Sequence, residues 1–159
     1  MQDNKNITLI GRVNPTDVGF AITLEPRYAD GLTGLGEFSH AVVLWWASES
    51  DSDEQRDQLV YRKPYAKNPD DVGVFSSRSP SRPNPIGLSV IALQNVDTRN
   101  ATITTPYIDT EPGTPVIDIK PYFPASDRVK DVVMPRWCGH WPTCYEAVSY
   151  THLTLPTKA

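Results

Sequence analysis

Residues 73–90 read GVFSSRSPSRPNPIGLSV and constrain the backbone more strongly than the rest of the chain. The prolines of this stretch are Pro80, Pro83 and Pro85. Proline lacks a backbone N–H, fixes φ and pushes the preceding residue towards extended geometry, so no helix can form here. The stretch therefore predicts a stiff loop that presents two guanidinium groups, those of Arg78 and Arg82, and then enters a strand.

The same restriction applies along the whole chain, which has 15 prolines in 159 residues. This is about twice ordinary usage, and scattered prolines argue against long helices. Short runs rich in β-branched or aromatic residues, bounded by Gly, Pro, Asn or Asp, predict strands. The predicted strands are residues 7–13, 20–24, 40–47, 59–61, 73–75, 86–95, 101–106 and 116–119. We therefore expect a mainly β fold, a single antiparallel or mixed barrel or a sandwich, with short helical turns near residues 28–35 and 53–58.

The length predicts one domain, because 159 residues divided in two would leave each half with a marginal core. We assign this domain to residues 1–148. Residues 149–159, SYTHLTLPTKA, break with the preceding pattern and resemble a translated cloning scar, so we expect a non-native tail. The longest apolar run, residues 41–47, is far shorter than the roughly 20 residues of a membrane span. With no apolar signal segment at the N-terminus, we expect a cytoplasmic protein without a membrane partner.

The formal net charge is -4, and the acidic excess lies in residues 49–57. Residues 62–82 carry a local net charge of +3, so any contact with nucleic acid must be local. Cys138 and Cys144 cannot form a disulfide framework. Together with His140 they lack both the paired C-x-x-C spacing and a fourth ligand, so we expect no metal site.

Arg78 and Arg82 suit carboxylates, phosphates and aromatic rings, because planar forks on a preorganised backbone lose little entropy on binding. Asn84 adds an amide that can read a base or hold the loop. Surface salt bridges are the alternative role for the two arginines. In residues 109–122, DTEPGTPVIDIKPY, Asp118 and Lys120 share a strand face and form either an ion pair, the commoner case, or a catalytic couple.

Three stretches, GEFSHAVVLWW at 36–46, GVFSSRSPSRPNPIGLSV at 73–90 and GTPVIDIKPY at 113–122, together resemble the TrmO/TsaA-like family. The likeness covers about residues 7–135. It implies a β-barrel that binds S-adenosyl-L-methionine without a Rossmann sheet and works as a homodimer. The best-known members are tRNA methyltransferases that methylate N6 of threonylcarbamoyl-adenosine next to the anticodon.

The resemblance also implies which residues contact the cofactor. They are Ser48, Glu49, Arg78, Leu88, Ser89, Val90, Glu111, Pro112, Gly113 and Thr114. Arg82, Asn84 and Lys120 match family positions as substrate-binding or loop-bracing residues. Pro112 departs from the family, which usually has Asp before Gly-Thr-Pro. The chain also lacks the N-terminal Pro-Arg-Gln-type loop and the C-terminal domain of the larger members.

Methyl transfer from a sulfonium asks the protein mainly for positioning and electrostatics. We therefore expect Arg78 to hold the cofactor or an anionic group of the acceptor, and Asp118 to serve as the base if one is needed. Two alternatives stay open. One is a non-enzymatic barrel that binds S-adenosylmethionine, or that binds RNA through Arg62, Lys63, Arg78, Arg82 and an exposed Trp. The other is a methyltransferase with a small-molecule acceptor.

Overall fold

The computed structural model describes residues 5–148, so residues 1–4 and the predicted tail at 149–159 lie outside the described residues. The described part is mainly β, as predicted, with short helical turns. Its strands are β1 (Gly11–Thr16), β2 (Gly19–Leu24), β3 (His40–Trp46), β4 (Val60–Tyr61), β5 (Val72–Gly73), β6 (Ile86–Ala92), β7 (Asn95–Asp97), β8 (Thr102–Thr105) and β9 (Pro115–Pro121). Its α-helices are α1 (Asp53–Arg56) and α2 (Pro124–Asp127). Its 3-10 turns are Pro26–Leu32, Leu35–Glu37, Ser48–Ser50, Val74–Ser76 and Arg136–Cys138.

Seven strands form one antiparallel sheet in the order β6-β3-β9-β1-β2-β8-β7, and β4 and β5 form a separate hairpin. The two outermost strands, β6 and β7, follow each other in the chain and are joined only by Leu93 and Gln94. The Leu93 N–H donates to the Ser39 carbonyl at 2.8 Å, and the Gln94 N–H donates to the Thr104 carbonyl at 3.0 Å. The sheet is therefore coiled, because a two-residue link connects its opposite edges.

The core lies on the inner face of this sheet, where alternate residues of each strand point. Fully buried side chains come from most of its strands: Val13, Ile22, Ala41, Val43, Ile91, Ile103 and Val116. Burying a Val or Ile side chain contributes about 1.5–3 kcal/mol relative to leaving it exposed. β3 is hydrogen-bonded on both sides, to β6 and to β9.

The predicted strand at 7–13 was wrong at both ends. Ile7 and Leu9 remain exposed, and β1 begins at Gly11, where pairing with both β2 and β9 starts. The strand then continues through Pro15 to Thr16 because a tight turn pairs Thr16 with Gly19. Pro15 is tolerated where β1 has β2 as its only paired neighbour, since no second ladder needs its N–H there.

The predicted strands at 73–75 and 86–95 were also wrong in their limits. β5 ends at Gly73 and a 3-10 turn follows, while β6 ends at Ala92 and a separate strand, β7, begins at Asn95. The interruption between β6 and β7 arises where the chain passes from one edge of the sheet to the other. In the described residues no helix is long and apolar enough to cross a membrane.

Candidate functional site

A cavity of about 900 Å³ opens at one end of the coiled sheet. It is lined by the end of β3, the proline-rich loop at residues 78–85, the start of β6 and the turn at residues 109–115, with Arg12 from β1. This volume falls within the range of pockets that bind drug-sized ligands, about 300–1,000 Å³. Segments far apart in sequence meet here because β3 pairs with both β6 and β9.

Trp45 forms an apolar wall of this cavity. It lies opposite Gly87 in the β3–β6 ladder, and a Cβ atom at position 87 would overlap its indole ring. The indole N–H donates to the Ser89 hydroxyl at 3.0 Å, which sets the orientation of the ring. Gly87 and Ser89 therefore place a flat aromatic surface beside the loop.

The proline-rich loop is held from both sides. Arg82 donates to the carbonyls of Ser77 and Ser79, both at 3.2 Å, so its guanidinium braces the loop. From the β4–β5 hairpin, the Tyr61 hydroxyl donates to the Ser81 carbonyl and accepts from the Ser79 hydroxyl at 2.8 Å. The loop is thus preorganised by contacts as well as by proline.

A further brace comes from α1. Arg56 donates to the Pro83 carbonyl at 3.0 Å and forms an ion pair with Asp51 at 2.5 Å. Asp51 also accepts from the Trp46 indole at 2.9 Å. The hydrogen bonds from Arg56 and Trp46 lower the pKa of Asp51 below its ordinary value of 3.8.

Arg78 differs from its neighbour Arg82. It is exposed, it lines the cavity, and within residues 5–148 its guanidinium makes no hydrogen bond or ion pair. A guanidinium carries five donors in a planar fork, and a rigid loop holds it with little entropy left to lose on binding. The structure therefore separates the two arginines into a bracing residue and a residue free to bind a ligand.

The turn at residues 109–115 forms the opposite wall. Gly113 has a φ of 82°, which an L-residue rarely adopts, and its N–H donates to the Val13 carbonyl at 2.7 Å. Its own carbonyl accepts from Arg12 at 2.9 Å. The Thr114 hydroxyl donates to the Glu111 carbonyl at 2.6 Å, which closes the turn.

Charges of both signs line the cavity. The cations are Arg12, Arg78 and Arg82, and the anions are Glu49, Asp109 and Glu111. Thr110 belongs to the same wall, and its hydroxyl oxygen is the one buried side-chain polar atom in residues 5–148 without a hydrogen-bond partner. A buried polar group without a partner costs about 1–3 kcal/mol.

Most of the predicted site residues are brought together in this cavity. Those that line it are Ser48, Glu49, Arg78, Arg82, Asn84, Leu88, Ser89, Glu111, Pro112, Gly113 and Thr114. Val90, Asp118 and Lys120 do not belong to its lining. Val90 lies further along β6, opposite Val42 of β3.

Asp118 and Lys120 form an ion pair at 2.7 Å, the commoner of the two roles expected for them. Asp118 lines a second cavity, of about 680 Å³, together with the Pro26–Leu32 turn. The hydrogen bond that Lys120 donates to the Asp118 carboxylate, together with the charge of that carboxylate, raises the pKa of Lys120. The structure therefore does not bring Asp118 next to Arg78.

The lining residues that sequence reasoning missed include Arg12, Asp109 and Thr110. Arg12 carries no local signal, because it is a single cation in a short exposed strand and joins the site only through the β1–β9 pairing. Asp109 and Thr110 lie beside a turn that was already singled out. In the described part of the chain, no group of three or more His, Cys, Asp or Glu residues is placed to hold a metal ion.

Comparisons with known proteins agree on one family. Residues 11–128 match the sequence model of the tRNA-methyltransferase O N-terminal domain. An S-adenosyl-L-methionine-binding protein of Archaeoglobus fulgidus is 37% identical over 117 residues, which are 74% of this chain and 78% of that protein. The tRNA (adenine(37)-N6)-methyltransferase of Escherichia coli is 34% identical over 125 residues, 77% of this chain and 52% of that enzyme.

A solved structure supports the same relationship. The crystal structure of TrmO from Pseudomonas aeruginosa has a TM-score of 0.61 and 25% identity over 82% of this chain. The match spans 61% of the TrmO chain and about half of the Escherichia coli enzyme. The matched region contains the strands that build the cavity, and on this sequence and fold similarity the chain belongs to the tRNA-methyltransferase O N-terminal domain family.

Proposed function

We propose that the chain is an S-adenosyl-L-methionine-dependent methyltransferase that acts on N6 of an adenosine, threonylcarbamoyl-adenosine, beside the anticodon of a tRNA. The observation that carries this proposal is the free guanidinium of Arg78 in a cavity built from the three family-like stretches. Relatives named for S-adenosylmethionine binding and for tRNA adenine methylation support it.

The cavity residues fit the cofactor in chemistry as well as in size. S-adenosylmethionine carries a carboxylate, two cationic centres, ribose hydroxyls and an adenine ring. The cavity offers guanidiniums for the carboxylate, carboxylates for the cations and the flat Trp45 surface for a ring.

When bound, S-adenosylmethionine supplies a methyl group on a sulfonium, and its transfer to N6 of the adenosine releases a neutral thioether and a proton. Arg78 binds the anionic end of the cofactor or of the acceptor. The closed turn at residues 111–114 holds the cofactor on the opposite wall, and the braced loop fixes the direction of attack. Of the carboxylates, Glu49, Asp109 and Glu111 line the cavity, which makes them the candidates for accepting the released proton.

The first test is calorimetric titration of the purified protein with S-adenosylmethionine. We expect binding to the wild type and at least a tenfold loss in Arg78→Ala, because a charge-assisted hydrogen bond contributes about 1.5–3 kcal/mol. Arg99→Ala, an exposed arginine in the turn between β7 and β8, is the matched control and should bind normally. Affinity within twofold of wild type in Arg78→Ala contradicts the assignment.

The acceptor is tested with S-adenosylmethionine labelled in its methyl group and tRNA as substrate. Label in N6 of the modified adenosine is the expected result, and Arg78→Ala should abolish turnover. Label in small molecules alone contradicts the tRNA acceptor. A tRNA acceptor also supports a cytoplasmic location.

We also propose that residues 1–148 form one domain whose sheet closes into a barrel, which the two-residue link between β6 and β7 supports. A homodimer is the proposed assembly. Phe75, 79% exposed, lies near exposed Leu59 and Val60, because the Val74 N–H bonds the Leu59 carbonyl. A second copy would cover these apolar side chains. Sedimentation at a monomer mass of 17.7 kDa at working concentration contradicts the dimer.

A further inference from the structure

An aromatic cluster lies outside the cavity and has no part in the proposed chemistry. It consists of Tyr65, Trp137 and Trp141. The rings of Tyr65 and Trp137 stack with centroids 4.6 Å apart, and Trp141 meets both edge-on, at 5.6 Å and 5.5 Å. The cluster joins the β4–β5 hairpin to the Arg136–Cys138 turn. Trp141 remains 39% exposed, so one ring of the cluster faces solvent.

Unpaired cations flank this cluster. Arg62, Lys63 and Lys67 surround Tyr65 in sequence, and Arg136 precedes Trp137. All four side chains are exposed, and across the described residues none of them forms an ion pair. These residues add four positive charges to the segments that carry the aromatic rings, in a chain whose net charge is -4. Their charge complements a polyanion, and their arrangement brings together two segments about 70 residues apart.

The cluster is also continuous with the proposed active site. Tyr61, in the same hairpin as Tyr65, bonds Ser79 and Ser81 of the loop that presents Arg78. The hairpin that carries Tyr65 therefore contacts the loop that presents Arg78. RNA loops are recognised by stacking their unpaired bases on aromatic rings, while cations neutralise the backbone phosphates.

We propose that the aromatic cluster and its flanking cations form the surface that binds the single-stranded loop of the RNA substrate, with a base next to the target adenosine stacked on Trp141. The inference rests on the proposed function, since it takes RNA as the acceptor. The half-buried stack of Tyr65 on Trp137 anchors the C-terminal segment. The exposed indole of Trp141 is the surface that contacts the RNA base.

The test uses the full chain and a fluorescently labelled anticodon stem-loop RNA, with affinity measured by anisotropy over a range of salt concentrations. Trp141→Ala should weaken RNA binding by about tenfold or more, the effect of losing one base–aromatic stack. Trp141→Phe keeps a stacking face and should recover most of the affinity. Val18→Ala, which truncates an 82% exposed side chain in the turn between β1 and β2, should bind RNA as the wild type does.

The cations are tested by their salt dependence. Lys63→Ala should lower the slope of log affinity against log salt concentration by about 0.7, the value for one phosphate contact on a single strand. Arg99→Ala, the control cation from the turn between β7 and β8, should leave the slope unchanged. A cation with a purely structural role would not move this slope.

S-adenosylmethionine affinity, measured on the same variants, separates a binding role from a folding role. The proposal requires RNA affinity to fall while cofactor affinity stays within twofold of wild type. Unchanged RNA binding in Trp141→Ala overturns it, and so does an equal loss of RNA and cofactor affinity. If the wild type binds RNA in a Trp141-dependent way but transfers no methyl group, the proposed function fails and the RNA surface stands. If Trp141→Ala transfers methyl groups to the RNA as well as the wild type does, the proposed function stands and the RNA surface fails.

Discussion

At the scale of single residues, Gly87 shows how a missing side chain builds the site. It lies opposite Trp45 in the ladder, and the indole ring occupies the space a Cβ would need. Gly87→Ala should therefore force Trp45 off its position and destabilise the protein by about 1–3 kcal/mol, the usual cost of overpacking. Urea unfolding gives the stability, and calorimetry should show weaker S-adenosylmethionine binding.

Gly31→Ala is the matched control, because no atom lies within 4 Å of a Cβ built there. It should leave the midpoint of unfolding almost unchanged. Equal stability of the two variants would mean that Trp45 is not held as the structure describes.

Asp118 was expected to serve as the base if one is needed, but its position predicts that it takes no part in methyl transfer. Its carboxylate pairs with Lys120 and lines the second cavity rather than the one that contains Arg78. Asp118→Asn should leave methyl transfer within about twofold of wild type and stability within about 0.5 kcal/mol, since exposed ion pairs contribute little. A hundredfold fall in turnover, with cofactor binding intact, would restore Asp118 as the base.

At the scale of elements, α1 acts as a brace for the proline-rich loop. Asp51 orients Arg56, and Arg56 donates to the Pro83 carbonyl, so a charge at the start of α1 controls a loop distant in sequence. The depressed pKa of Asp51 means that this contribution to stability is present above its ordinary pKa of 3.8. It is lost as the pH falls through the lowered pKa of the folded state.

Asp51→Asn should therefore lower Tm slightly at neutral pH, and the difference from wild type should disappear in strong acid. The expected effect is small because the pair is exposed. Thermal unfolding followed from neutral pH down to below pH 3.8 makes the comparison. Asp17→Asn, an exposed carboxylate in the turn between β1 and β2, is the control. A Tm difference that persists in strong acid would show that Asp51 acts by some means other than its charge.

At the scale of the whole molecule, one core holds the coiled sheet together. Ile22 is fully buried in that core, whereas Ile7 is 47% exposed outside the sheet. Ile22→Ala should cost about 2–5 kcal/mol of the 5–15 kcal/mol typical of a domain, and Ile7→Ala should cost less than about 0.5 kcal/mol. Urea unfolding measures both.

The same experiment tests the single-domain proposal. Circular dichroism reports the strands, while tryptophan fluorescence reports Trp45 and Trp46 in the sheet together with Trp137 and Trp141 in the C-terminal segment. The two signals should lose their native values together, because one core unfolds in one transition. Separate transitions would show that the aromatic cluster belongs to an independent unit.

Much of this molecule follows from local sequence. Scattered prolines exclude long helices, and β-branched runs bounded by turn residues locate eight of the nine strands, because both signals act within a few residues. The stiff loop that carries Arg78 and the Gly-Thr turn at residues 113–114 also follow from residues that are adjacent in sequence. The sequence alone therefore determined the mainly β class, the family resemblance and most of the residues that line the cavity.

Only the tertiary structure decided which of those residues line the cavity and which of them stabilise the loop around it. Arg78 and Arg82 are the same residue type four positions apart, yet Arg78 lines the cavity without a partner among the described residues, whereas Arg82 donates to the nearby Ser77 and Ser79 carbonyls because of the path that the loop takes. Arg12 lines the cavity that contains Arg78, whereas Asp118 lines the second cavity, because strand pairing determines which cavity a side chain lines. The aromatic cluster likewise unites residues 65 and 137. Such contacts depend on strand register and chain path, which no short stretch of sequence encodes.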